Sequence, residues 1–106
     1  MKKFLAIYHT PKEAMAWMQD ASPEDQKAGM QKWMDWKEAH EACIVDFGAP
    51  LASRGNIGTG PTHVTISGYS VLQAESMEAL EEECKDHPHI GWHPEAYIEF
   101  FELALF

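Results

Sequence analysis

Three of the chain's six histidines fall within seven residues, in the stretch Asp86-His87-Pro88-His89-Ile90-Gly91-Trp92-His93. Imidazole titrates near neutrality, so such a cluster can serve proton transfer, metal binding or pH-sensitive packing. His89 is the candidate general acid or base, with Asp86 or Glu95 as the carboxylate that would tune it. The alternative is a turn in which Pro88-His89 hydrogen-bonds the backbone. His87, His89 and His93, joined by His9 or His63, are also chemically able to ligate zinc or copper. Their spacing matches no closed metal motif, and Pro88 and Pro94 limit how the rings converge, so no metal and no cofactor is assigned.

Trp33, Trp36, Trp92 and Tyr8 are available to wall a pocket for a small, planar aromatic ligand. Trp92 is the stronger candidate because it shares the histidine loop, whereas the helical spacing of Trp33 also suits a core. Met15, Met18, Met30 and Met34 read as adaptable packing residues. Cys43 and Cys84 form no CxxC pair and read as buried thiols. The glycine-rich segment Ser53 to Pro61 has no lysine and does not lead from a strand into a helix, so it does not read as a phosphate cradle.

The elements that must position these residues belong to one domain over residues 1–106, since a second independent core is implausible at this length. With 45% hydrophobic residues the chain should fold despite a net charge of -9. Eight basic against seventeen acidic residues argue against nucleic acid and against anionic membrane surfaces. No apolar stretch approaches the ~20 residues of a membrane span, and the apolar run after Met1 is too short for a signal peptide, so a cytoplasmic location is expected.

Residues 3 to 8 read as a strand. Thr10-Pro11-Lys12-Glu13 then reads as a helix start, with Thr10 as its cap. Ser22-Pro23-Glu24-Asp25 repeats that signal after an interruption near Asp20, and the helix continues to about Cys43 with Met30, Trp33, Met34 and Trp36 on its apolar side. Ile44 to Leu51 reads as an edge strand bent near Gly48 and Pro50. A third strand spans Val64 to Leu72, a helix follows from Ser76 to about Asp86, and a last strand runs from Ala96 to Phe106. The predicted fold class is therefore α+β: a ferredoxin-like βαββαβ arrangement with an antiparallel sheet in spatial order 4-1-3-2 and its helices on one face.

Both faces of the first and last strands are apolar. Leu5 and Ile7 oppose Phe4, Ala6 and Tyr8, while Tyr97, Phe101, Leu103 and Leu105 oppose Ile98, Phe100, Ala104 and Phe106. Helices cover one side only, which predicts a homodimer through the open sheet face. The same topology gathers Tyr8, His9, His63, His87, His89 and His93 at one sheet edge. It leaves His40 at the other, beside a helix C-terminus whose dipole favours it.

Lys2-Lys3-Phe4-Leu5-Ala6-Ile7-Tyr8, Pro11-Lys12-Glu13-Ala14-Met15 and Val45-Asp46-Phe47-Gly48-Ala49-Pro50-Leu51 occur in the order and spacing of a known family. So do Ser67 to Ser76, His87-Pro88-His89 and Tyr97-Ile98-Glu99-Phe100. Over essentially its whole length the chain resembles the YCII-related, or DGPF-domain, family. That resemblance implies a dimeric α+β barrel and chemistry on small molecules, with links to chlorinated-aromatic breakdown in a few members. A histidine and aspartate pair has been suggested as an active site in some members, and the position of its histidine falls near Gln31 here.

Two functions follow. One is a small-molecule enzyme of the lyase or isomerase type, in which His89 or His9 transfers a proton and Tyr8, His63, Trp33 and Trp92 position the ligand. The other is a non-catalytic dimer that binds a small ligand or regulates another protein.

Overall fold

A computed structural model describes residues 1–104. Strand β1, Lys2–His9, alternates as its sequence requires: Phe4, Ala6 and Tyr8 are buried, while Leu5 and Ile7 on the other face are half-exposed. Helix α1, Lys12–Asp20, ends before Ser22, whose side chain accepts the Asp25 N–H and starts α2, Pro23–Ala39. A single 3₁₀ turn over Glu41–Cys43 leads into β2, Ile44–Pro50. Strand β3 covers Ile66–Ala74, Ser76 caps α3 over Met77–Cys84 by accepting the Ala79 N–H, and β4 covers Tyr97–Glu102.

The four strands form one sheet in the order β2-β3-β1-β4 with every neighbouring pair antiparallel. Read from the opposite edge this is the expected 4-1-3-2 order, and the fold is a small ferredoxin-like α+β fold. Trp36 of α2 and Leu80 and Cys84 of α3 pack with Phe4, Ala6, Leu72 and Ala74, so α2 and α3 lie on the same side of the sheet. The other side carries Leu5, Ile7, Tyr69, Val71 and Phe101 in register, and no element of the chain covers it among the described residues. None of the helices is long and apolar enough to cross a membrane.

Edge strand β2 bends where its composition demands. Its register with β3 slips twice between Ile44 and Ala49, and Gly48 has φ +82°. A Cβ at Gly48 would lie 1.7 Å from the Tyr69 carbonyl oxygen, so both the left-handed backbone and the close approach require glycine.

Several expectations are corrected. Thr10 does not cap α1: its hydroxyl is buried and donates to Ser67 Oγ, which in turn donates to the Tyr8 carbonyl, and Pro11 takes the cap position. The third strand begins at Ile66, two residues after Val64, which is exposed. The last strand begins at Tyr97 and stops at Glu102, while Leu105 and Phe106 lie outside the described residues. Met18 on α1 and Met30 and Met34 on α2 are exposed; α2 meets the sheet through its C-terminal turns, where Trp36 is buried and Trp33 half-buried while Met34 between them stays exposed.

The end of α3 also falls short of the predicted edge. Eight helical residues rise only about 12 Å, whereas the nine-residue strand beside them spans about 30 Å. The non-helical segment after Cys84 climbs the remaining distance and carries the histidines. His40, assigned to the far edge, consequently reaches the end of α3. Its Nδ1 lies 2.5 Å from Glu83 and its Nε2 3.3 Å from Asp86. Both carboxylates are acceptors only, so both ring nitrogens act as donors and His40 is held as an imidazolium. Burial alone would lower its pKa, but the hydrogen bonds to Glu83 and Asp86 outweigh that and raise it. The helix-dipole explanation is thus incomplete, since two carboxylates bracket the ring.

Candidate functional site

The inner histidines belong to a closed hydrogen-bond chain. His87 Nδ1 accepts the His89 backbone N–H at 3.0 Å, which leaves the proton of the neutral ring on Nε2. Nε2 lies 3.3 Å from Tyr8 Oη, and Tyr8 donates in turn to Ser70 Oγ at 2.8 Å. Ser70 Oγ donates in turn to the Phe47 carbonyl at 2.6 Å. Every donor therefore points one way, from His87 through Tyr8 and Ser70 to a backbone carbonyl of β2.

The electrostatics agree with that direction. Burial lowers the His87 pKa to about 3, with neighbouring His89 acting the same way and Asp86 opposing. Burial likewise pushes the Tyr8 phenol up to about 12, against the Ser70 hydrogen bond. At neutral pH the chain holds an uncharged imidazole and an uncharged phenol.

His89 is 4% exposed, and its Nε2 donates to the His9 carbonyl at 2.9 Å. Burial lowers its pKa, while the His9 and Tyr97 carbonyls oppose the shift. The Tyr8, Trp33, His87 and His89 rings pack against one another with centroids 4.7 to 6.2 Å apart. Trp92 stands beside this group, 6.4 Å from His89 and partly exposed, and His93 packs against Trp17 of α1. His63 lies exposed in the β2–β3 connection and makes no hydrogen bond among the described residues. Of the sequence candidates, then, Tyr8, Trp33, His87 and His89 are brought into contact, Trp92 borders them, and His63 stays apart.

His9 faces the other way. The β1–β4 register sets His9 opposite Tyr97 on the open sheet face, and the two rings stack with centroids 4.4 Å apart and planes at 6°. Nε2 of His9 lies 2.8 Å from Glu99 Oε1, and Nδ1 lies 2.9 Å from Thr65 Oγ1. The carboxylate can only accept, so Nε2 carries a proton, and in the neutral ring Nδ1 is the base that accepts the Thr65 hydroxyl. A cleft of about 220 Å³ opens beside it, lined by His9, Thr10, Pro11, Thr65, Glu95 and Tyr97. A second cleft of about 340 Å³ lies beside the His40 and Glu83 pair and includes Cys43. Cys43 and Cys84 are free, buried thiols whose pKa values burial raises to about 11 and about 12.

Among the described residues no group of three or more His, Cys, Asp or Glu side chains is placed to hold a metal ion. Sequence reasoning passed over Thr65 and Glu99. Glu99 carries a usable signal, because it interrupts the apolar row of Tyr97 and Phe101 on one strand face. Thr65 carries none, since only the bulge between Tyr8 and His9 and the Thr10 N–H to Thr65 carbonyl bond bring it to His9. Comparison with protein families, curated proteins and solved structures finds no match to this chain.

Proposed function

We propose that the protein is a small-molecule enzyme of the lyase or isomerase type in which His9 moves a proton within the cleft it lines. The observation that carries this reading is the bridging of His9 between Glu99 and Thr65. A carboxylate on one imidazole nitrogen orients the ring, and the other nitrogen faces the Thr65 hydroxyl, which lines the cleft and relays a proton between His9 and a ligand. His89, with Nε2 committed to a carbonyl and its ring buried, holds the β1 end on which His9 stands. Tyr8, Trp33 and His87 form the rigid support beneath it. The cleft is smaller than a drug-sized ligand site, which suits a compact substrate, with Tyr97 as its aromatic wall.

The test is solvent exchange. The protein is incubated in D₂O with a panel of small carbonyl compounds, and loss of C–H signals is followed by proton NMR. Exchange above background that disappears in His9→Gln supports the reading. No exchange with any compound, or equal exchange in the variant, removes it.

The reading also takes the chain as a cytoplasmic relative of the YCII-related proteins that dimerises through the open sheet face. The segments that resemble that family and the 4-1-3-2 sheet order support the kinship. Leu5, Ile7, Tyr69, Val71 and Phe101, an apolar row that no element of the chain covers among the described residues, support the dimer. Val71→Glu would place a charge at the centre of that face. Light scattering after size exclusion should give twice the chain mass for the wild type and the single-chain mass for the variant, and a monomeric wild type would refute the dimer.

A further inference from the structure

The charge of the His9 cleft goes beyond the proton-transfer reading on which this inference rests. Glu95 is the one charged carboxylate among the lining residues, and Glu99, which does not line the cleft, hydrogen-bonds the His9 ring that does. No lysine or arginine is among the lining residues, and Glu95 has no ion-pair partner among the described residues. The nearest basic residue in sequence, Lys12, is exposed on the first turn of α1 and does not line the cleft. With His9 neutral the two carboxylates give the site a charge of about -2, and with His9 protonated about -1, so its sign is the same in either state.

Such a cleft repels carboxylates and phosphates. Its one aromatic wall is the Tyr97 ring, which stacks on His9 yet remains 51% exposed, and an aromatic face attracts cations. A buried histidine with both nitrogens engaged, an unpaired carboxylate at the rim and a half-exposed tyrosine are thus three separate features of one cleft. From them we infer that the cleft takes a small molecule bearing an ammonium group, with Glu95 as its counter-charge and Tyr97 against its body.

Three probes of one shape and different charge test this: benzylamine, benzyl alcohol and benzoate. Each is titrated into the intact, isotope-labelled protein at neutral pH, and NMR shifts are followed at His9, Thr65, Glu95 and Tyr97. Saturable shifts at these residues with benzylamine, weakened by added salt and about threefold to fivefold weaker in Glu95→Gln, are expected for one exposed ion pair. Glu95 is exposed, so the variant's spectrum away from the cleft should be unchanged and a folding defect is separable. Benzoate binding in preference to benzylamine, or benzylamine binding unchanged in Glu95→Gln, would overturn the charge assignment. If benzyl alcohol alone perturbs these residues, the assignment also fails but the cleft remains a ligand site. If none of the three does, both the assignment and the proton-transfer reading lose their site.

Discussion

Replacing His87 by asparagine should change how stability depends on pH more distinctively than how large it is. In the folded protein His87 stays neutral down to about pH 3, chiefly because it is buried, whereas the unfolded chain takes up a proton there near pH 6.5. Between those values the unfolded state binds more protons, so stability rises with pH. The contribution is complete above about pH 6.5 and is lost as the pH falls towards the folded value. From pH 7 to pH 5 the integrated loss from this one group is about 2 kcal/mol, and it depends only on the folded pKa lying well below 5. Asparagine can still accept the His89 N–H through its side-chain oxygen, but it cannot donate to Tyr8 and cannot titrate. Urea unfolding at half-unit steps between pH 5 and pH 7 measures both proteins. The variant should be less stable at pH 7 by about 1–3 kcal/mol for the broken buried network, and its loss between pH 7 and pH 5 should be smaller than that of the wild type by about 2 kcal/mol. Identical pH dependence in the two proteins would show that His87 charges in the native state, and the directed chain from His87 to Phe47 would be wrong.

His40 has the opposite sign. Its pKa is raised in the folded state, against burial, by the hydrogen bonds to Glu83 and Asp86, so its contribution is full below the unfolded value of about 6.5 and disappears as pH rises through the folded value. Both carboxylates are substantially exposed, which limits the effect to about 0.5–1 kcal/mol. Urea unfolding at pH 6 and pH 9 should therefore show a loss in the wild type that His40→Gln lacks, and parallel losses would remove the clamp between α2 and α3. Gly48→Ala should cost at least about 2 kcal/mol, because it combines a left-handed backbone with a backbone clash. Amide exchange of Gly68 to Leu72 should then accelerate as β2 peels away, and unaltered protection would contradict the close β2–β3 approach.

Much of the fold was legible in the residues. Phe4, Ala6 and Tyr8 alternating with Leu5 and Ile7 specify a strand with two apolar faces. Ser22-Pro23 and Ser76-Met77 mark helix starts that the structure reproduces with capping hydrogen bonds. The bend at Gly48 was legible because Gly48 and Pro50 are poor residues for a regular strand. Thr10-Pro11 misled for a physical reason. A threonine hydroxyl before a proline can cap a helix, but here burial beside Ser67 offers it a different acceptor, and no local pattern separates the two. Met30 and Met34 misled similarly, since periodicity marks an apolar helix side without telling which part of that side meets the sheet: Trp36 is buried, whereas Met34, two residues before it, is exposed.

The candidate site divides along the same line. Residue types and spacing alone identified histidines able to titrate near neutrality, placed most of them at one sheet edge and included His9 and His89 among the chemical candidates. Which histidine faces a cleft and which is sealed was decided by register, because adjacent strand positions point to opposite faces. Tyr8 turns inward to His87 and Ser70, and His9 turns outward to Tyr97 and Glu99. The partners that orient His9 lie 56 and 90 residues away in sequence. Side-chain chemistry is a property of each residue and can be read along the chain. Protonation and accessibility are properties of the surroundings, and these exist only once β1, β3 and β4 are paired.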